Sequence, residues 1–350
     1  MTSRKAPRTL TRRQLNRAVL ARQLLLERAS LPLPRAFERT AGLQTQYAPS
    51  AYVGLWSRLR DFGRDQLTDG LNRRTVIQAT LMRVTIHMVS RGDYWPITAA
   101  VRDVRRNWWL RVSAHQTGPE EMARIAKRLR ELLADGPRRR ADIVATLGLD
   151  STTWNGLGLW VDLVRVPPYG TWEHRRADLL GLAEQWVGPD RATPGQGARL
   201  LVRRYLGGFG PARRASIQTF TGLAPDDLDA ALSEITPRRF LDEEGKELLD
   251  LPGAVLPDPD TPAPVRFLPT WDATLLTHAR PTGILPEQYR PLVFTSRTPV
   301  SVPTFLVDGE VAGTWRYADG RVAVEPFEAL PARARREVDE EAERLAAFHA

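Results

Sequence analysis

The sequence contains no cysteine, which excludes disulfides, thiolate metal sites and a cysteine nucleophile. Lysine is nearly absent: only Lys5, Lys127 and Lys246 accompany the arginines among 50 basic residues. Histidine is scarce, and His87, His115, His174, His278 and His349 show no metal-ligand spacing. There is no P-loop, dinucleotide fingerprint or Gly-x-Ser-x-Gly elbow. No metal and no cofactor are expected. No run approaches the roughly 18 apolar residues of a membrane span, and the charged N-terminus lacks the apolar stretch of a signal peptide. These absences predict an intracellular, cytoplasmic protein that does not engage a membrane.

What is present is charge, unevenly placed. The chain has 350 residues, 42% hydrophobic and 26% charged, a balance that supports two or three packed domains rather than disorder. Its formal charge is +9. Residues 1–140 hold 28 Lys and Arg against 11 Asp and Glu, whereas residues 221–350 hold 13 against 23. A GC-rich genome explains arginine in place of lysine, but not this segregation. A strongly basic N-terminal part points to a polyanion, and arginine offers phosphate a rigid two-pronged donor.

Hydrophobic periodicity predicts helices over 11–29, from near Pro34 to Gly42, and over 51–62. The β-branched stretch 75–91 predicts two strands with a tight connection. A repeat follows. RRRADIVATLGLD at 138–150 aligns with ARRASIQTFTGLA at 212–224: Ala141, Ile143, Gly148 and Leu149 match Ala215, Ile217, Gly222 and Leu223 at a constant offset of 74. Each block reads as basic residues, a short helix, Gly-Leu and a second helix, the pattern of a helix-turn-helix. LWVDLVRVPPYGTWEHRR after the first block and RRFLDEEGKELLDLP after the second read as wings. The Pro- and Asp-rich stretch 252–265 reads as a linker. Strands are expected in VRFLPTWDATLL, PLVFTSR, TFLVDGEVAGTWRY and GRVAVEPF, with turns at Asp308-Gly309 and Asp319-Gly320 and a charged, solvated terminal helix. The expected fold is α+β, with three tandem winged helix-turn-helix modules and a C-terminal β-rich segment. Its parts are 1–118, 119–193, 194–256 and 257–350.

In AGLQTQYAPSAYVGLWS (41–57), Gln44 and Gln46 sit at i and i+2 between Gly42 and Pro49, both unfavourable to regular helix. In an extended segment the two amides project to one side. Arg83, Thr85 and His87 alternate similarly if they lie on a strand. Each pattern is also compatible with ordinary surface residues.

Four segments resemble the HTH_42 family of winged-helix DNA glycosylases, the AlkZ type. GLQTQYAPSAYVGLWSR (42–58) is similar to its Gln-x-Gln segment, and MRVTIHMV (82–89) to its Met-Arg-x-Thr-aliphatic-His segment. LPTWDATLLTHAR (268–280) resembles its Leu-Pro-x-aromatic-Asp segment, and VDGEVAGTWR (307–316) its Asp-Gly-x-x-x-Gly-x-Trp strand pair. The matches run in order over nearly the whole chain, and the resemblance implies that the three modules and the C-terminal segment form a concave DNA-binding surface. The resemblance implies that Gln44 and Gln46 are catalytic, with Thr45 where an aliphatic residue is usual. It implies excision of alkylated purines, bulky adducts or interstrand crosslinks from double-stranded DNA, in repair or in self-resistance to DNA-alkylating antibiotics. A nucleoid-associated bacterial monomer with no obligate protein partner is expected.

Further DNA contacts are expected from Arg83, Thr85, His87, Asp272, His278 and Arg316, and from Trp172 as a wedge. Arg138, Arg139, Arg140, Arg213 and Arg214 are expected to meet phosphates at helix starts. Trp108 and Trp109 are expected in the core. The rival reading is a non-catalytic winged-helix transcriptional regulator or DNA-binding protein, which would bind defined sequences rather than lesions.

Overall fold

The computed structural model describes residues 7–113, 117–294 and 301–350. His115 lies outside them. The first helix, α1 (Arg12–Arg22), opens with a capping box in which Thr11 and Gln14 satisfy each other's backbone amides. It ends before residue 29 because Leu24 turns left-handed, at φ 59°. Then come α2 (Leu33–Thr40), β1 (Leu43–Gln44), α3 (Pro49–Trp56), α4 (Arg64–Asn72), β2 (Val76–Thr80), β3 (Ile86–Ser90) and the long α5 (Arg91–Val112). Pro34 and Pro49 sit in the first turns of α2 and α3, where a missing N–H costs nothing.

The chain continues through α6 (Pro119–Leu132), β4 (Arg138–Arg139), α7 (Arg140–Leu147), α8 (Ser151–Leu157), β5 (Leu163–Arg165), β6 (Leu179–Leu182) and α9 (Ala183–Trp186). After α10 (Pro194–Phe209) come α11 (Arg214–Thr221), α12 (Pro225–Ile235), β7 (Arg238–Leu241) and β8 (Glu247–Asp250). The repeat is present in the backbone. Gly148 and Gly222 end α7 and α11 in the left-handed conformation, at φ 66° and 71°, and a second helix follows each. An antiparallel strand pair follows each helix pair. After the first pair the chain runs irregularly from 166 to 178 before re-entering the sheet, so PPYGTWEHRR is not a strand.

The principal sheet has the order β1-β3-β2-β5-β6-β4. Its centre joins Gln78 of β2 to Arg165 of β5, so residues 43 to 182 share one sheet across the helices between them. Residues 252–265 form no helix or strand, as the proline content predicts. Beyond them, β9 (Arg266–Leu268), α13 (Arg290–Val293), β10 (Thr304–Val307), β11 (Glu310–Ala318), β12 (Arg321–Pro326) and α14 (Ala332–His349) complete the chain. The second sheet runs β12-β11-β10-β9. Both Asp-Gly pairs have positive φ at both residues, as two-residue hairpin turns require.

The C-terminal part is less β-rich than its residues predict. VRFLPTWDATLL yields only the three-residue β9 before short 3₁₀ turns, and the start of PLVFTSR is helical, in α13. Residues 295–297 of that expected strand lie outside the described residues. The terminal helix is not solvated all round: Val338, Ala342 and Leu345 bury one face against the second sheet's core. The largest core runs through α1, α5, α10, α11 and α12. A separate cluster holds α6, α7 and α8 together around Trp109. Trp108 is 45% exposed, contrary to its expected core position, because successive residues of a helix point about 100° apart and Trp109 takes the inward direction.

Candidate active site

The glutamine segment leaves α2 through two successive left-handed residues, Ala41 (φ 63°) and Gly42 (φ 78°). Gly42 is required twice over, since a Cβ there would also stand 3.0 Å from Val89 and 3.1 Å from the Met88 carbonyl of β3. Released against β3, the chain pairs Gln44 with His87, and the Thr45 amide donates to the Ile86 carbonyl at 2.8 Å. The next partner in the ladder is a side chain: the Ile86 amide donates to Gln46 Oε1 at 2.9 Å. Thr45 is buried, and its hydroxyl oxygen accepts from Gln78 Nε2 at 3.2 Å. The polar group that replaces the family's usual aliphatic residue is therefore satisfied within the sheet.

Gln44 is almost buried, and its Oε1 accepts from Arg83 Nη2 at 3.0 Å. A guanidinium and a backbone amide can only donate, so both partners dictate which end of each glutamine faces them. In each amide one carbonyl lone pair is taken. The NH₂ groups of both are left to point elsewhere.

Arg83 is not on a strand. Arg83 and Val84 both adopt left-handed backbone, at φ 54° and 57°, in the tight connection of β2 to β3. The convergence predicted from alternation arises instead from this turn. Arg83 Nη1 donates to the Phe220 carbonyl of α11 at 2.8 Å, and its guanidinium lies 4.8 Å from the Phe220 ring centre. Burial lowers its pKa to about 10. His87 is fully buried, 3.4 Å from Arg83 Nη2, and its Nδ1 lies 3.0 Å from the Thr85 carbonyl. That carbonyl only accepts, which places the proton on Nδ1 and leaves Nε2 facing Arg83. Burial, then the charges of Arg83 and Arg105, hold its pKa down to about 3 despite the Thr85 bond. His87 is thus a neutral part of the scaffold at physiological pH.

Beside Gln46 and Arg83 opens a cleft of about 820 Å³. Its walls come from α5 (Arg105, Trp108), the start of α7 (Arg140), α8 (Trp154) and β5 (Arg165). The partners of Gln44, Thr45 and Gln46 are a guanidinium, an amide side chain and a backbone N–H, none of them an acid.

Residues 37–348 match the model of the AlkZ-like DNA glycosylase family. The chain belongs to that family. A solved structure, the Streptomyces sahachiroi DNA glycosylase AlkZ, has the same fold: 18% identity, 97% of each chain covered and a TM-score of 0.77. No curated protein matches the chain. An AlkZ-like glycosylase acts on DNA, which fixes the class of partner. No helix among the described residues is long and apolar enough to cross a membrane.

In this AlkZ-like chain three of the remaining expected residues, Trp172, Asp272 and His278, are buried. Trp172 packs edge-on against Tyr52 and Phe348, 5.6 Å from each ring centre, and is 6% exposed, so it has no surface to act as a wedge. Asp272 is buried in an ion pair with Arg58 at 2.9 Å and caps a 3₁₀ turn through Thr274. His278 is enclosed by Tyr205, Phe209 and Phe220, and burial holds its pKa well below the usual value. Phe220 contacts both His278 and Arg83, and Arg58, the partner of Asp272, also donates to the Gly54 carbonyl of α3, which packs on β1. Arg316 is exposed on β11 near Glu325 and shares a groove with Tyr47 and Tyr317. Arg138, Arg139 and Arg140 are exposed, although Arg139 contacts Asp178 at 3.3 Å. Arg213 and Arg214 are tied to Asp242, Glu244 and Asp229.

Sequence reasoning missed Gln78 and Arg58. A lone amide inside the apolar run VIQAT signals a buried hydrogen bond, so Gln78 was findable. Nothing local distinguishes Arg58 from the other arginines.

Proposed function

We propose that the chain is a monofunctional DNA glycosylase that hydrolyses the N-glycosidic bond of cationic N7-alkylated purines, using Gln44 and Gln46 and no cofactor. The observation that carries this is the pair of amides, each held in one orientation by a donor-only partner, in a site whose hydrogen bonds involve no carboxylate. Glycoside hydrolysis ordinarily needs an acid and a base or nucleophile. An N7-alkylated purine is already positively charged and departs neutral, so no general acid is required. The remaining task is to place a water against C1′ and to favour charge developing on the sugar. The second lone pair of a glutamine carbonyl accepts a hydrogen bond from that water and orients it toward C1′, the water's proton passing to solvent once the C1′–O bond has formed, and the NH₂ groups donate to sugar or phosphate oxygens. Arg83 holds the Gln44 amide, and the Ile86 amide holds that of Gln46, so their orientation is set before substrate arrives.

Arg140, the exposed cation of the first helix-turn-helix that lines the cleft, supplies affinity through phosphates rather than base edges. That suits an enzyme selecting lesions over sequence, as a monomer. Bulky adducts and interstrand crosslinks fall within the same proposal, because the site opens onto a cleft rather than a closed chamber. The test is single-turnover excision of N7-methylguanine from duplex DNA, read by alkali cleavage, with a bulky N7 adduct and a crosslinked duplex in parallel. The wild type is expected to act on at least one of these, and Gln44→Ala/Gln46→Ala on none. Wild-type rates in the double variant would overturn the assignment.

A further inference from the structure

Two arginines in the cleft carry charges that the protein does not neutralise. Arg105 of α5 is 8% exposed, and its Nη1 donates to the carbonyls of Thr80 (3.0 Å) and Leu81 (3.3 Å). Arg165 of β5 reaches Thr80 from the other side, with Nη1 3.1 Å from the hydroxyl. Each Nε is enclosed and has no hydrogen-bond partner. Neither arginine forms an ion pair among the described residues. The carboxylate in the cleft wall, Asp162, is engaged by Arg102 at 3.0 Å. Arg140, at the start of α7, adds a third guanidinium, held 5.4 Å from the Trp154 ring centre.

A buried cation without a counter-ion is costly, and carbonyl partners only partly offset that cost. With Nη1 bonded and Nε enclosed, each arginine keeps Nη2 to donate a charge-assisted bond to a phosphate oxygen. Burial lowers both pKa values to about 10, leaving both side chains charged at neutral pH. The cleft continues to Gln46 and Arg83, so a group held here shares the cleft with Gln46 and with the arginine that holds Gln44.

We propose that Arg105 and Arg165, with Arg140 at the rim, seat a backbone phosphate of the DNA strand whose sugar is presented to Gln44 and Gln46. The inference rests on the glycosylase reading for its orientation but not for its test. The seat positions the strand, so that C1′ meets amides that are already oriented.

The experiment measures affinity for an undamaged duplex across a salt series, which involves no excision. Loss of one phosphate contact lowers the magnitude of the slope of log K against log salt by about 0.9. Arg165→Gln is expected to lower the slope by that amount and to weaken binding about tenfold at fixed salt, the loss of a charge-assisted bond. Arg165→Lys should restore the slope but not all of the affinity, because lysine lacks the rigid geometry of the guanidinium. Arg105→Gln should behave as Arg165→Gln does, with thermal melting to verify folding. If it does not fold, the Arg165 pair decides. An unchanged slope in a folded Arg165→Gln variant overturns the seat. A second arm adds inorganic phosphate at constant ionic strength and reads the melting temperature. Stabilisation by inorganic phosphate with no change in the DNA slope would assign the cleft to free phosphate and overturn the proposal. Neither outcome bears on excision by Gln44 and Gln46, so failure here is distinguishable from failure of the glycosylase reading.

Discussion

The two helix-turn-helix repeats have the same backbone but differ in how many of their arginines are ion-paired: in the first, of Arg138, Arg139 and Arg140, Arg139 alone is paired among the described residues, with Asp178. In both, an eight-residue helix ends at a left-handed glycine, and the two helices begin 74 residues apart, at Arg140 and Arg214. In the first repeat Arg138 and Arg140 make no ion pair among the described residues, and Arg140 stands at the mouth of the cleft. In the second, Arg213 lies against Asp242 and Glu244, and Arg214 against Asp229. The cores differ too. α7 and α8 pack in a separate cluster, whereas α11 and α12 belong to the largest core, where the Phe220 carbonyl holds Arg83. A repeated pattern thus specifies a shape; whether its cations stay free or are neutralised depends on which carboxylates its neighbours supply.

The strongest test of this division truncates equivalent core residues. Ile143 and Ile217 are both fully buried. Each change to alanine should cost about 2–5 kcal/mol. In urea unfolding followed by hydrogen exchange, Ile217→Ala should lower protection across α1, α5 and α10, and Ile143→Ala only around α6–α8. Equal spread of the two effects would break the comparison.

Charge removal comes next. Arg140→Ala should weaken duplex binding and reduce its salt slope by about 0.9 without lowering the melting temperature. Arg213→Ala should leave the slope unchanged and cost about 1 kcal/mol, because it strips a partner from the buried Asp242. The reverse pattern would exchange the roles of the two repeats.

The glycines should respond alike. A Cβ at Gly148 or Gly222 meets no atom within 4 Å, so the cost of alanine is the left-handed backbone alone, about 1 kcal/mol at each site by thermal melting. A large inequality would mean that the two turns are not equivalent.

The smallest effect is acid sensitivity of the second repeat. Burial alone would raise the Asp242 pKa, but the Lys246 amide, Arg213 and the Glu244 amide outweigh it, and the folded value lies below the ordinary carboxylate range. A depressed carboxylate contributes stability that is fully present above its unfolded pKa, about 3.9, and is lost as pH falls through the folded value. Urea midpoints measured downward from pH 5 should therefore fall less steeply in Arg213→Ala than in the wild type.

Much of the site was legible before folding, though not always for the right reason. The glutamine pair stood out through Gly42, Pro49 and the i, i+2 spacing, and the resemblance attached a chemistry to it. The sequence marks Arg83 as a DNA contact on a strand; its place on a turn, donating to Gln44, is a tertiary outcome, since no local rule favours left-handed backbone at Arg83 and Val84. Trp172 looked available because its segment reads as a wing. Its burial depends on Tyr52 and Phe348, which lie more than a hundred residues away in either direction. Arg105 and Arg165 carried no signal, since 26% of the chain is charged and nothing local marks which arginines are enclosed.

The sequence by itself determined what short-range physics controls. Glycines at a 74-residue offset impose two identical turns, Asp-Gly pairs set both hairpins, prolines open α2 and α3, and apolar spacing builds the helices. Tertiary structure alone decided which charges are neutralised and which amide faces which donor. Those outcomes depend on contacts such as Arg83 with Phe220, Gln78 with Thr45 and Arg213 with Asp242, made between elements that meet only when the chain has folded. Backbone conformation is set by neighbours in sequence, but the energy of a buried charge or amide is set by neighbours in space.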